Sequence, residues 1–206
     1  MKIRPATTLI ELLLFLGFFA GSSGVLVAFF FATTGQRLQQ QNISSVEQSG
    51  LQILQSLAMR IRTAERVLDP VMGQTGAILA LQVADQTMHP TVVGLESGAL
   101  IVGQAETRQV VSSSQVLVED FVVTNTSVTP SRASVRIRFT VSKPIPTSLT
   151  LRYTREFETV ISLYPDDVES GNPCSCSSPS CNGGRYRYEY CPSETCVQSP
   201  VTLPCG

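Results

Sequence analysis

The chain has 206 residues, enough for one membrane helix and one domain of ordinary size. Its 15 basic and 16 acidic residues nearly cancel, which gives no support to nucleic-acid binding, or to attraction to anionic lipid, as a bulk property. The balance hides an asymmetry, because no charged residue lies between Glu11 and Arg37.

Lys2 and Arg4 open the chain, and an apolar run follows from Leu12 to Thr34. At about 1.5 Å per helical residue this run extends about 35 Å, against a hydrocarbon core of about 30 Å. Phe, Leu and Val occur on every face, so no polar stripe is available to meet water, as a buried core helix at a surface would need. The run is therefore predicted to enter a membrane, and the basic start marks its N-terminal side as cytoplasmic. The remaining mass is expected on the outer side. A cleaved secretory signal would share the basic start, with Ala20, Gly21 and Ser22 as its cut site. Val25 to Phe31 extends the run beyond what such a signal needs, and no cysteine near the start offers a lipoprotein site.

One carboxylate sits at the mouth of the run, in Thr7-Thr8-Leu9-Ile10-Glu11-Leu12. An acidic side chain at mid-membrane costs about 2.5–3.5 kcal/mol, and less near the interface. Glu11 therefore either rests among head groups or requires a partner.

The segment Thr8-Leu9-Ile10-Glu11-Leu12-Leu13 behind a basic leader resembles the cleavage and methylation segment of the type IV pilin and pseudopilin superfamily. The resemblance implies cleavage by a prepilin peptidase between Ala6 and Thr7, followed by methylation of the new amine. It also implies that Glu11 pairs with the terminal amine of a neighbouring subunit during assembly. The chain departs from the family pattern in having Ala6 where Gly is usual and Thr7 where an aromatic or Met is usual.

Past Gly35 a second helical pattern begins. Val46, Gly50, Ile53, Leu54, Leu57, Ile61, Ala64 and Leu68 recur at steps of three and four, with Gln, Ser and Arg opposite. Asp69-Pro70 is the expected stop. One nearly continuous helix from about Thr8 to Val67 would be on the order of 90 Å long. Gly21-Ser22-Ser23-Gly24 is its weak point, read either as local unwinding or as room for close helix packing.

Downstream, Ala77–Ala84, Thr91–Leu95, Ala99–Val102, Val116–Thr124, Ser134–Ser142 and Leu149–Leu163 read as strands, with Glu96-Ser97-Gly98 as a hairpin turn. Val135, Ile137, Phe139 and Val141 alternate with Arg136, Arg138 and Thr140, which marks a half-buried strand. Arg155 interrupts the inward series between Tyr153 and Phe157. It must find a carboxylate or turn outward, and a bulge or strand end is the favoured expectation. The predicted fold is α+β, a long N-terminal helix (membrane half, then amphipathic half) packed on an antiparallel sheet, with a disulfide-rich C-terminal tail. The segment Arg60-Ile61-Arg62-Thr63-Ala64 and the later Arg138-Phe139-Thr140 add a diffuse resemblance to minor pilins and J-type minor pseudopilins. The expected division is a leader at 1–6, a membrane or filament-core helix at 7–35, a pilin-like domain at 36–165 and a Cys-rich tail at 166–206.

All six cysteines, Cys174, Cys176, Cys181, Cys191, Cys196 and Cys205, fall in that tail. In an exported chain they read as a disulfide framework with fifteen possible connectivities. Zinc is the alternative, but the C-x2-C pairs of common sites are lacking and no His lies near. Asn182-Gly183-Gly184 signals a turn before Tyr186, Tyr188 and Tyr190. Interleaved with Arg185 and Arg187, these tyrosines could stack on single strands or glycans, though a stapled hairpin covering the domain is the simpler expectation. The sole histidine, His89, precedes Pro90 and is expected at the surface. Asp166-Asp167 reads as a solvated turn rather than an acid/base pair.

No nucleophile elbow, phosphate loop or metalloprotease motif occurs, so neither an enzyme nor a cofactor is expected. The resemblance implies a minor pilin-like subunit of a type IV pilus or secretion pseudopilus. Its partners would be other pilin or pseudopilin subunits, the prepilin peptidase and the inner or cytoplasmic membrane. The alternative is a signal-anchored surface receptor or adhesin that never polymerises and binds through its tail.

Overall fold

The computed structural model describes residues 9–85, 88–128, 133–144, 152–164, 176–191 and 195–205, the side chains of 31–39 excepted. The fold is α+β, with every paired strand antiparallel. The chain forms two compact units, Met1–Ile43 and Ser44–Gly206. Helix α1 spans Leu9–Arg62. Within the first unit it passes through Gly21-Ser22-Ser23-Gly24 without a break, and local unwinding there is not seen. Ser22 donates its hydroxyl to the carbonyls of Phe18 (2.9 Å) and Phe19 (3.1 Å), so that polar group is satisfied inside the helix.

In the second unit the expected stripe packs as read. Val46, Ile53, Leu57 and Ile61 are buried in one core with strand residues. Gly50 belongs to the same face for a steric reason: a Cβ there would lie 2.1 Å from the Phe157 ring.

The helix stops earlier than its periodicity predicts. It ends at Arg62, and Ala64–Asp69 is a strand, β1. Thr63 closes the last turn, its amide and hydroxyl both donating to the Met59 carbonyl, at 3.2 and 3.0 Å. The reason for the change lies in what covers the segment. Val67 packs on the main core while Leu68 packs on a second cluster. Consecutive apolar residues covered on opposite sides suit a strand and not a helix stripe.

β1 joins β3 (Ile78–Val83), β4 (Thr91–Glu96), β5 (Ala99–Gln104) and β6 (Thr107–Val110) in a sheet of order β1-β3-β4-β5-β6. Leu79, Leu81, Val93, Leu100 and Val102 face the main core, and Ile78, Ala80, Val92 and Ile101 face the second cluster. Burial on both faces explains why these strands read as unbroken apolar runs. The β4–β5 turn is the expected one, with Ser97 (φ 53°) and Gly98 (φ 75°) both left-handed, as a two-residue type I′ hairpin requires. β6 has four exposed residues and left no periodic signal in the sequence.

A second sheet has order β2-β7-β8-β9, comprising Thr75–Gly76, Leu117–Asn125, Ser134–Pro144 and Arg152–Ser162. β8 and β9 pair in unbroken register from Ser134↔Ser162 to Pro144↔Arg152, which corrects the expected bulge at Arg155. Arg155 instead remains half exposed and forms an ion pair with Glu47 of α1, its guanidinium 5.9 Å from the Phe157 ring centre. Of the two alternatives posed by the sequence, the carboxylate is the one realised. The irregularity falls in β7, between Glu119 and Val122, where Asp120 has φ 53°. The expected strand residues Leu149 to Leu151 lie outside the described residues.

The tail contributes short strands β10 (Ser180–Asn182), β11 (Arg185–Arg187), β12 (Glu189–Tyr190), β13 (Val197–Gln198) and β14 (Leu203–Pro204). Its Tyr186, Tyr188, Val201 and Leu203 close the outer face of the five-stranded sheet. A segment too polar to form a core of its own thus shares one.

Candidate functional site

The segment Leu9–Phe30 of α1 is 22 residues long with mean hydropathy 2.2. Its side chains, among them Leu9, Phe18 and Phe30, stand exposed along the helix. Apolar surface of this extent marks membrane anchoring or a signal segment. Glu11 is exposed in the first turn, where the helix dipole favours a negative charge. It is the only ionisable residue from Leu9 to Phe30, and it forms no ion pair among the described residues. Ala6 and Thr7, the expected processing site, lie outside the described residues, as do Lys2 and Arg4. Gly17, Gly21 and Gly24 have open space within 4 Å of an added Cβ.

At the other end of the chain two disulfides brace the tail, Cys176–Cys196 and Cys181–Cys205, with Cα separations of 5.5 and 6.1 Å. Cys191 is also disulfide-bonded, and Cys174 lies outside the described residues. Bridges of this kind mark an extracytoplasmic domain. Gly183 and Gly184, at φ 62° and 74°, turn β10 back onto β11 so that Tyr186 faces the sheet. Cys176, Cys196 and Glu189 converge within 4.8 Å, the outline of a metal site. The two sulfurs are joined to each other and Glu189 accepts the Ser177 amide at 3.0 Å, so no thiolate is left to ligate. All six cysteines should be oxidised within one subunit, each bridge contributing about 2–4 kcal/mol to the folded tail. Alkylation without reductant followed by intact mass should add no label; free thiols or stoichiometric zinc would refute this.

The structure buries part of the aromatic–arginine pattern, Tyr186 and Tyr188, while Tyr190 is half-buried and Arg187 exposed. The Tyr186 hydroxyl donates to Asp69 Oδ2 at 2.9 Å. Burial, reinforced by the Asp69 carboxylate, pushes the Tyr186 pKa well above that of an ordinary phenol. Arg185 donates to Glu96 (3.0 Å) and to the Thr202 hydroxyl (3.0 Å). The Tyr186 and Tyr188 rings therefore present no face for stacking. Asp69, expected only as a helix stop, is a hydrogen-bond partner 117 residues from Tyr186. Asp166 and Asp167 lie outside the described residues.

His89 is half-buried rather than at the surface, and its Nδ1 is enclosed without a hydrogen-bond partner among the described residues. Burial pushes the imidazole below its usual pKa; Glu65 opposes the shift and Arg66 adds to it. The unfolded chain then takes the proton more readily than the folded one. This contribution to stability is complete above the unfolded value of about 6.5 and is lost progressively as the pH falls toward the depressed folded value. His89→Gln should flatten the pH dependence of the unfolding free energy as the pH falls below about 6.5. An unchanged slope in denaturant titrations would exclude His89 as its source.

No family model matches the chain, and neither a curated protein nor a solved structure matches it.

Proposed function

We propose that this chain is a minor pilin-like structural subunit of a type IV pilus or a type II secretion-like pseudopilus. It is stored in the inner or cytoplasmic membrane with its N-terminus cytoplasmic, cut by a prepilin peptidase between Ala6 and Thr7, methylated there, and assembled through its N-terminal helix. The observation that carries the reading is Glu11, a lone carboxylate in the first turn of an apolar helix, five residues beyond the proposed cut. A carboxylate in that position is costly in lipid, and a partner bearing positive charge would offset that cost. The amine freed at Thr7 of a neighbouring subunit is such a partner. Small residues at Gly17, Gly21 and Gly24 leave room for a neighbouring helix, and an α+β unit later in the chain suits a subunit displayed along a filament.

The decisive experiment is the mass of the native N-terminus, purified from cells that hold an active prepilin peptidase. A chain beginning at methylated Thr7 is expected. A chain retaining Met1, or cut after the Ala20-Gly21-Ser22 segment, would overturn the reading in favour of a surface receptor or adhesin acting through its braced tail.

A further inference from the structure

A cavity of about 630 Å³ opens beside the C-terminal turn of α1, within the second unit. Its volume lies in the range of small-molecule sites, about 300–1,000 Å³. Met59, Val83 and Met88 supply apolar walls, and Thr91 and Gln104 border it from β4 and β5. The polar groups of those two strands are already engaged: the Thr91 hydroxyl donates to the Met88 carbonyl at 3.0 Å and accepts from Gln104 Nε2 at 3.2 Å.

Arg60 is the exception. It lines the cavity half-buried, and the one hydrogen bond of its guanidinium among the described residues is to neutral Gln109, at 3.0 Å. It forms no ion pair among those residues, whereas Arg108, Arg136, Arg138, Arg152, Arg155 and Arg185 all do. A guanidinium carries five N–H donors in a planar fork that fits a carboxylate with two parallel bonds. Burial lowers the Arg60 pKa below the usual arginine value, and it is the sole cause of that shift. Among the described residues Arg60, like Arg62, Arg66 and Arg187, has no ion-pairing carboxylate, and of these four it alone lines this cavity.

We infer that this cavity binds a small organic monocarboxylate with a compact apolar body, the carboxylate on Arg60 and the body between Met59 and Met88. Thioether side chains adapt to varied apolar shapes, which suits a site that reads a class rather than one molecule. Asp85 also borders the cavity, is exposed, and already interacts within the chain. Its charge favours a monoanion over a phosphate dianion. The inference is independent of filament assembly, since it uses only residues of the second unit.

The test uses the full-length chain in lipid nanodiscs with its methionine methyls labelled with carbon-13. The four methionines are Met1, Met59, Met72 and Met88, of which Met59 and Met88 line the cavity and Met72 does not. The probe is 4-phenylbutyrate, with the neutral alcohol 4-phenylbutanol as its comparison. Saturable shifts at Met59 and Met88 but not Met72 are expected, with the acid binding about tenfold more tightly than the alcohol. Arg60→Gln should remove that preference, and Ala84→Trp, which fills the cavity, should abolish both responses. Equal affinity for acid and alcohol in the unaltered chain, shifts shared by Met72, or no saturation at millimolar probe would overturn the inference. The comparison of the two probes on the unaltered chain stands even where a variant fails to fold.

Discussion

Glu11→Leu should leave membrane insertion intact and remove the chain from the assembled fraction. The substitution removes the one ionisable side chain from the span Leu9 to Phe30, so partition into the bilayer persists or improves. Before processing, Lys2, Arg4 and the head groups are available to balance the carboxylate. After processing, the proposed partner is the amine of a neighbouring subunit, in surroundings of low dielectric where a charge pair interacts strongly. Removing one member strands the other, a penalty of about 3–5 kcal/mol for a buried pair. At 1.4 kcal/mol per factor of ten, that is a loss of at least about a hundredfold in incorporation. The measurement compares the membrane pool with the sheared filament fraction, or with co-purifying partner subunits. Equal recovery of the variant and the unaltered chain in the assembled fraction would show that Glu11 plays no part in assembly.

Phe139→Ala should destabilise the globular unit by about 3–5 kcal/mol. Phe139 is fully buried on β8 and stacks against Phe157, its register partner on β9, with ring centres 5.5 Å apart. Its strand neighbours on the same face, Val135, Ile137 and Val141, are β-branched and fully buried. They rotate little at χ1, and β8 is held by β7 on one side and β9 on the other. The cavity therefore cannot collapse, and its cost adds to the lost transfer energy of the ring. Domains of this size are stable by about 5–15 kcal/mol, so the loss is a large share. Val160→Ala, on the exposed face of β9 with the side chain 54% accessible, should change stability by no more than about 0.5 kcal/mol. Denaturant unfolding of the oxidised full-length chain, followed by near-ultraviolet dichroism of the tyrosines, checks both. Similar midpoints for the two variants would mean that the β7–β8–β9 face is not the core that limits stability.

The elements legible in the sequence share one property, a pattern carried by near neighbours. The apolar run before Arg37 needs only composition. The stripe of Val46, Ile53, Leu57 and Ile61 and the alternation of Val135 to Val141 need only the period of a helix or a strand. Glu96-Ser97-Gly98 and Asn182-Gly183-Gly184 carry their own turn chemistry, and the crowding of cysteines in one exported segment suffices to expect bridges, though not their pairing.

What the tertiary structure decided concerns residues whose environment comes from far along the chain. Ala64 and Leu68 continue the helical count, yet they lie in β1, because a sheet covered on both faces gives Val67 and Leu68 separate places to be buried. Arg155 is satisfied by Glu47, 108 residues away, so no bulge is needed in β9, and the irregularity goes to Asp120 instead. Tyr186 loses its availability to a ligand through Asp69 and the sheet. The cavity at Arg60 is assembled from α1, the end of β3, β4, β5 and residues between β3 and β4. Local periodicity encodes which face of an element is apolar; which charge meets which, and where a cation is left without one, depends on contacts made only once the elements have packed.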